Sequence, residues 1–248
     1  FITTSLEGIY ILDFDYNIKN HFLTDPLNPF SISTNSFNKF SAQRTAKVLN
    51  DAGDIIFGTE KGLNVYLAKR KYFQRFISNS SGASKSQINV ISKLTNNMVL
   101  IGYNNGINIF DFKSKKFTEF NSDEIFSDQT IFDIFLFALS EEILYEEEVS
   151  SNSNPYLSYI LTDSGLYKTS INIDFKITNV SKIFDNKNTS LSKISLIYNG
   201  FILWGDNKKE VLSFEKFGSL ISKDFSNYGI SNLCVNKNQE IFISTVNG

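Results

Sequence analysis

The side chains that could do chemistry in this chain are few and far apart in sequence. It has one histidine, His21, and one cysteine, Cys234, so we expect neither a histidine-rich metal site nor a disulfide within the chain. Asp163 and Asp206 could form the pair of carboxylates that a glycosidase needs, because both stand in short polar turns. A simpler explanation for both aspartates is that their side chains accept hydrogen bonds from the backbone of the turn. We therefore predict no catalytic residue, no metal and no cofactor.

An acidic insertion at about 140–156 is the second chemical feature. It contains Glu141, Glu142 and the run Glu146, Glu147 and Glu148. These residues lack the spaced Asp, Asn and Gly of a calcium-binding loop. Insertions of this kind commonly form binding surfaces in repeat proteins, which makes the segment a candidate for ligand contact. The alternative is a solvated surface loop.

Composition and charge exclude several classes of partner. The net charge is −2 and no run of Lys or Arg stands out, which argues against a phosphate-binding surface and against a nucleic-acid partner. No apolar run reaches the length of a membrane span, so we predict no membrane insertion of this segment. The 24 Phe and 11 Tyr residues indicate strands and turns rather than helices.

A short phrase recurs along the chain and indicates how these side chains are positioned. It consists of an apolar strand, a polar turn that usually contains glycine, and a second apolar strand. The marker residue of the turn recurs at Gly8, Gly62, Gly106, Gly165, Lys209 and Gly248. The spacing of roughly 40–60 residues is that of four-stranded propeller blades, some of them with insertions. The sequence therefore predicts an all-β fold, a β-propeller of four-stranded antiparallel blades.

Counting the strand types predicts where the blades lie. We expect a blade tail at 1–24, whole blades at 25–77, 78–121, 122–180 and 181–224, and a partial blade at 225–248. The first strand, FITTS, is equivalent to the last, IFIST, and both are present. We therefore expect an arc of a larger propeller rather than a closed ring. The turn motif should have a structural role, and its residues are Gly58, Thr59, Gly62, Gly102, Gly106, Thr162 and Gly165.

Three segments carry a resemblance to a known family. They are AKVLNDAGDIIFGTEKGLNVY at 46–66, INVISKLTNNMVLIGYNNGINIFDFKSKKFTEF at 88–120, and the lead-in DPLNPFSISTNSF at 25–37. The pattern is similar to the two-component regulator propeller repeat, which has an Asn- and Ser-rich lead, a D-x-x-G turn, and then L-W-I-G-T-x-x-G-L-x-x-Y-D. The resemblance is strongest over residues 20–120.

The resemblance implies a location and a role. Such repeats are typical of the periplasmic sensing part of bacterial hybrid two-component regulators, upstream of a histidine kinase or, in related proteins, a diguanylate cyclase. It implies an extracytoplasmic module, periplasmic or facing the outside of the cell, that senses a ligand such as an oligosaccharide. It also implies self-association in the full-length sensor.

The leading hypothesis is therefore a non-catalytic sensor that binds a small molecule or glycan on one propeller face. The candidate ligand-binding residues at the blade rims are Tyr103, Asp163, Trp204 and Asp206, although the two aromatic residues could instead pack between sheets. Two alternatives remain open. One is a protein–protein interaction scaffold with a large exposed apolar patch, and the other is a propeller hydrolase or lyase whose carboxylates converge.

Overall fold

The structure is a computed structural model that describes most of the chain. The described residues are 1–4, 6–37, 46–48, 53–76, 87–120, 125–138, 156–172, 174–185, 193–197, 200–204, 210–215, 220–224, 230–235 and 240–245. Every regular element in these ranges is a β-strand. Among the same residues, no helix could span a membrane.

The strands form six sheets within the described ranges. The first sheet contains β1 (Ile2–Thr3), β2 (Ile9–Leu12) and β3 (Ile18–Phe22). The second contains β4 (Ala46–Val48), β5 (Ile55–Thr59), β6 (Gly62–Leu67) and β7 (Tyr72–Phe76). The third contains β8 (Ile88–Lys93), β9 (Met98–Tyr103), β10 (Gly106–Asp111) and β11 (Lys116–Glu119).

The remaining strands continue the same pattern. The fourth sheet contains β12 (Ile131–Ala138), β13 (Tyr156–Thr162), β14 (Gly165–Ile171) and β15 (Ile177–Asp185). The fifth contains β16 (Lys193–Ile197), β17 (Gly200–Trp204), β18 (Glu210–Glu215) and β19 (Leu220–Asp224). The sixth pairs β20 (Ile230–Val235) with β21 (Ile241–Thr245).

Each sheet is an antiparallel meander in which strands that follow each other in sequence are hydrogen-bonded neighbours. The first strand of each sheet from the second onward contacts the first strand of the next, in the order β4, β8, β12, β16 and β20. These five strands, called the inner strands below, therefore line the axis of a β-propeller arc. The predicted fold class, with a blade tail, four whole blades and a partial blade, is confirmed.

One predicted blade boundary differs from the strands. The division between residues 180 and 181 falls inside β15, which extends from Ile177 to Asp185. This strand pairs with β14 through two register irregularities, so it is longer than the outer strands of the neighbouring sheets. Bulges of this kind lengthen one strand relative to its partner without ending the pairing.

The meander sorts the connections onto two ends of the blades. The repeated turns and the connections between sheets lie at one end, called the motif end; among them are the turns at 4–8, 59–62, 103–106 and 162–165. The other connections lie at the far end, called the opposite end. They join first to second strands, or third to fourth strands, within a sheet. This division follows from the strand order alone and decides which loops can share a site.

Apolar side chains between successive sheets form the core. Ile56, Leu63 and Val65 of the second sheet pack against the third sheet. The opposite face of the third sheet packs on the fourth, with Leu100 facing Ile131 in the same cluster. The first and second sheets meet through a further cluster of Ile9, Ile32, Phe37, Phe57, Tyr66 and Phe73. Because the third sheet is covered on both faces, successive apolar side chains of β9 pack into the two clusters alternately, with Val99 and Ile101 in one and Leu100 in the other.

The threonine of the repeated turn has a definite structural role. In the second sheet, Thr59 Oγ1 donates to the carbonyl of Gly62 at 2.8 Å and accepts the N–H of Lys61 at 3.2 Å. In the fourth sheet, Thr162 Oγ1 donates to the carbonyl of Gly165 at 3.1 Å. A hydroxyl that both donates and accepts satisfies the turn backbone without solvent. Gly62 has a φ of 106°, which favours glycine at this point of the turn.

The lead-in segment 25–37 is attached to the second sheet by two sets of polar contacts. In the first set, the Ser33 N–H donates to Asn64 Oδ1 at 2.9 Å, and Asn64 Nδ2 donates to Ser33 Oγ at 2.9 Å. Ser33 Oγ also lies 3.1 Å from Thr59 Oγ1. Asn64 is fully buried, so these hydrogen bonds form away from water. They join the lead-in to the turn motif.

Arg75 of β7 makes the second set of contacts. Its Nη2 donates to the carbonyl of Asn28 at 2.7 Å, and its Nε donates to the carbonyl of Ser31 at 2.5 Å. The planar guanidinium can bond several carbonyls at once, which a lysine cannot do in this geometry. The lead-in that resembles the family pattern is therefore an extension of the second sheet.

We expect Asn64→Ala to lower the free energy of unfolding by about 2–3 kcal/mol, because it leaves the buried Ser33 N–H and the hydroxyls of Ser33 and Thr59 without their amide partner. Denaturant unfolding followed by circular dichroism would measure this. Asn179→Ala, at an exposed position of β15, is the matched control and should change stability by less than about 0.5 kcal/mol. Equal losses in the two variants would contradict the role given to Asn64.

Gly102 lies between Val90 of its own sheet and Ile131 of the fourth sheet. A Cβ atom at this position would lie 2.6 Å from Ile131 Cγ2 and 2.7 Å from Val90 Cγ1. Carbon atoms in contact normally lie about 3.5–4.0 Å apart. A glycine is therefore required here by the distance between the sheets.

Gly102→Ala should accordingly lower the free energy of unfolding by about 2–3 kcal/mol through overpacking. The paired variant Gly102→Ala with Val90→Ala removes one of the two clashing methyl groups. We expect its stability loss to be smaller than the sum of the losses of the two single variants, measured by denaturant unfolding. Strictly additive losses would show that the alanine fits without displacing Val90.

Candidate functional site

The predicted rim residues at the motif end occupy different environments. Asp163 is exposed in the turn between β13 and β14, and its N–H donates to the carbonyl of Thr130 at 3.1 Å. Trp204 is the last residue of β17 and pairs with Lys193 of β16. Asp206 lies outside the described residues. Of the four candidates, the structure therefore places Asp163 at the surface of the motif end.

Tyr103 is buried in the packing between sheets. It is 3% exposed and belongs to the cluster between the second and third sheets. Burial raises the pKa of its phenol, so the hydroxyl stays neutral. It occupies the position that Thr59 and Thr162 hold in other turns, but its ring points into the core. We therefore assign Tyr103 to inter-sheet packing, because a ring without an exposed face cannot stack on a ligand.

Around Asp163, a polar network joins the third and fourth sheets. Ser164 Oγ donates to Gln129 Oε1 at 2.7 Å and lies 2.7 Å from the hydroxyl of Tyr167. Thr130 Oγ1 donates to the carbonyl of Asn104 at 3.2 Å. These contacts join the turn at 162–165 of the fourth sheet to the connection that leads from the third sheet into the fourth. They stabilise the motif end and leave its donors occupied by protein partners.

The acidic insertion leaves the fourth sheet at the opposite end. Residues 139–155 lie outside the described ranges, but the strands that they join are described, and Ala138 of β12 pairs with Tyr156 of β13. Asp163 follows the other end of β13, a strand of seven residues. At about 3.3 Å per residue, roughly 20 Å of strand separates the two points. The two residues that flank the insertion, Ala138 and Tyr156, therefore lie at the other end of the fourth sheet from Asp163.

The single histidine is explained by contacts within the first sheet. His21 Nε2 lies 2.7 Å from the carbonyl oxygen of Glu7, and its imidazole stacks on the Tyr10 ring with centroids 4.0 Å apart. Both contacts are those of a surface residue satisfied by its neighbours. Within the described ranges, no three His, Cys, Asp or Glu side chains come together as metal ligands. Cys234 lies in β20.

A groove along the inner strands brings together charged side chains that are distant in sequence. It has a volume of about 340 Å³ and runs past β4, β8 and β12, the inner strands of three consecutive sheets. Its polar lining is formed by Lys47, Ser92, Lys93 and Asp133, and Phe135 adds an aromatic side chain. Asp133 is 7% exposed and accepts the N–H of Ile134 at 3.0 Å. This groove, called the axial groove, offers both hydrogen-bond donors and an acceptor.

Sequence reasoning missed the residues of the axial groove. The inner strands themselves were predicted, but each contributes only one or two polar residues among apolar ones. The sequence did contain a usable signal, namely the polar residues of the inner strands, because the inner strands of successive blades lie next to each other. Taking the polar residues of that strand from successive repeats would have selected Lys47, Lys93 and Asp133 together.

No family model and no curated protein matches this chain. Among solved structures, it is similar to the extracellular domain assigned to the hybrid two-component system BT3049 of B. thetaiotaomicron. The TM-score is 0.66 at 15% identity, over 99% of this chain and 30% of that one. The corresponding domain of BT4673 from the same organism has a TM-score of 0.57 at 16% identity, over 83% of this chain and 26% of that one.

An enzyme also shares the fold. Virginiamycin B lyase of Staphylococcus aureus has a TM-score of 0.58 at 11% identity, over 94% of this chain and 69% of that one. This chain spans less than a third of the two extracellular domains from B. thetaiotaomicron. At such low identities, the three likenesses establish a common β-propeller architecture.

Proposed function

We propose that this chain is a non-catalytic, ligand-sensing module of an extracytoplasmic signal-transduction protein, and that its ligand is an oligosaccharide or another small molecule. The observation that carries the proposal is the axial groove, in which polar side chains of three consecutive blades meet. The shared architecture with extracellular domains assigned to two-component systems supports the same role. A downstream histidine kinase or diguanylate cyclase would receive the signal.

The lining of the groove suits a hydroxylated ligand. Sugar hydroxyls can accept hydrogen bonds from the ammonium groups of Lys47 and Lys93 and donate to the carboxylate of Asp133. The half-buried ring of Phe135 offers an apolar surface for a sugar face. Because these residues belong to separate blades, a ligand that contacts all of them favours one relative position of those blades. This bias is the means by which binding would be passed on.

We propose that the module is non-catalytic because of where its carboxylates lie. Asp163 lies at the motif end, and the acidic insertion leaves the sheet at the opposite end. Asp133, in the axial groove, pairs with Leu161 near the motif end, and its carboxylate accepts the backbone N–H of Ile134. A glycosidase requires two carboxyl groups within about 10 Å on either side of the scissile bond. Asp133 is 7% exposed and already accepts a backbone hydrogen bond, so we infer that it does not act with Asp163 as such a pair.

Calorimetric titration with a panel of neutral and acidic oligosaccharides tests this function. We expect one member to bind, and Lys93→Ala to weaken its binding by about tenfold, since a hydrogen bond from a charged group contributes about 1.5–3 kcal/mol. Lys168→Ala, on the exposed face of β14, is the matched control and should bind as the parent does. A panel without any binding, or equal effects of the two variants, would contradict the proposal.

A second candidate function is supported by exposed apolar side chains in residues 1–30. Leu6, Phe14 and Leu27 are 75%, 103% and 93% exposed. Leu6 and Phe14 lie in the two turns of the first sheet and Leu27 lies in the lead-in, and large exposed apolar side chains are a feature of protein–protein contacts. This favours an interaction scaffold, or self-association of the sensor, through the first sheet and its turns.

Self-association through this region predicts a clear effect of two substitutions. Phe14→Ser with Leu27→Ser should weaken association by at least about tenfold in sedimentation velocity, because buried aromatic anchors dominate such contacts. Phe242→Ser, which changes an aromatic residue that is 54% exposed in the sixth sheet, is the control and should leave association unchanged. A parent protein that stays monomeric at every concentration would rule out this form of the scaffold hypothesis.

A further inference from the structure

Two turns at the opposite end bring six basic side chains to one region of the surface. The turn between β6 and β7 carries Lys69, Arg70 and Lys71. The equivalent turn between β10 and β11 carries Lys113 and Lys115, and Lys116 follows as the first residue of β11. All six side chains are exposed. The two groups of three basic residues are about one repeat apart in sequence, so they do not form one continuous basic run. The fold places them on neighbouring blades.

The two turns line a common groove, called the basic groove. It has a volume of about 340 Å³ and is lined by Asp54, Leu67, Lys69, Arg70, Gln74 and Lys115. Arg70 Nη1 donates to the hydroxyl of Tyr72 at 2.9 Å, which orients the guanidinium. The basic groove shares no lining residue with the axial groove. Its ligand would therefore occupy a different site from the one proposed above.

The carboxylates of this region are occupied by the turn backbones. Asp54 Oδ1 accepts the N–H of Ala68 at 2.8 Å, and Asp111 Oδ1 accepts the N–H of Lys113 at 2.8 Å. The hydrogen bond from the Lys113 backbone also helps to hold the pKa of Asp111 below its usual range. The basic side chains outnumber these two carboxylates by three to one. The region is thus a local excess of positive charge on a chain whose net charge is −2.

The turn geometry does not require these cations. The same left-handed position occurs in four sheets, at Tyr16, Lys71, Lys115 and Phe175, with φ values of 63°, 57°, 57° and 60°. The backbone therefore accepts a tyrosine or phenylalanine there as well as a lysine. In the first sheet, the equivalent turn carries Asp13 instead, whose carboxylate caps the turn. Among the described turns at this position, the fourth sheet carries the single cation Lys176, and the second and third sheets, which form the groove, carry two or more each.

We propose that the basic groove binds a small ligand that carries two or more anionic groups, such as carboxylates, sulfates or phosphates. Arg70 can bind one such group with two parallel hydrogen bonds, and Lys69 and Lys115 can pair with others. The volume accommodates a ligand of about disaccharide size. A long polyanion is disfavoured, because beyond the groove it would meet the negative charge of the rest of the chain.

The test is calorimetric titration with four probes: a sulfated disaccharide, a digalacturonate, inorganic tripolyphosphate and a neutral disaccharide. The groove variant combines Lys69→Gln, Arg70→Gln and Lys115→Gln. Its control combines Lys19→Gln, Lys168→Gln and Lys176→Gln, which remove the same charge from exposed positions elsewhere. We expect at least one anionic probe to bind, the groove variant to weaken it by about tenfold or more, and the control to change it by less than about twofold.

Each outcome decides the proposal. The probe that binds identifies the anionic group, and a loss confined to the groove variant supports the site. Binding should weaken when salt is raised to about 0.15 M, because the contacts are exposed charge pairs. No binding of any anionic probe overturns the proposal, and so do equal losses in both triple variants or equal binding of the neutral disaccharide. Attachment to vesicles of phosphatidylcholine and phosphatidylserine without binding of any soluble probe also overturns it.

Discussion

The third sheet of this protein is covered on both faces by its neighbours, and the spacing of these sheets constrains the residues between them. Val99 and Ile101 face the second sheet, and Leu100 faces the fourth. At Gly102 the approach is so close that Val90 and Ile131 leave no space for a single methyl group. Protein interiors pack at nearly crystalline density, so each sheet is stabilised by its neighbours rather than alone.

This packing places polar groups where they must be satisfied by the protein itself. The turn threonines reach both partners within their own turn, and the buried amide of Asn64 extends the same arrangement to the lead-in segment. Arg75, in the neighbouring strand β7, also donates hydrogen bonds to carbonyls of the lead-in segment. The lead-in at 25–37 is thereby attached to β6 and β7 through side-chain hydrogen bonds. The Asp163 backbone belongs to the hydrogen-bond network of the motif end through the Thr130 carbonyl, and the residue itself is exposed.

The chemistry available to a ligand lies elsewhere. The axial groove collects residues from the inner strands, and the basic groove collects residues from two turns at the opposite end. Both depend on the relation between neighbouring blades, since no single blade supplies either lining. A ligand in either groove therefore reports on the arrangement of blades. This is a property that a sensing module can use, and it needs no catalytic group.

The sequence by itself determined the repeat, the strand order and the turn motif. Apolar alternation and Gly62 or Gly106 are local signals, and local signals survive in a single chain without its partners. It also indicated that Tyr103 could pack between sheets. Only the tertiary structure decided which residues of different repeats meet. Lys69 and Lys115 belong to two short basic turns that are far apart in sequence, and Lys47 and Asp133 looked like polar residues within apolar strands. They come together because adjacent blades pack face to face. The residues that separate them in sequence do not indicate which side chains of two blades will be neighbours.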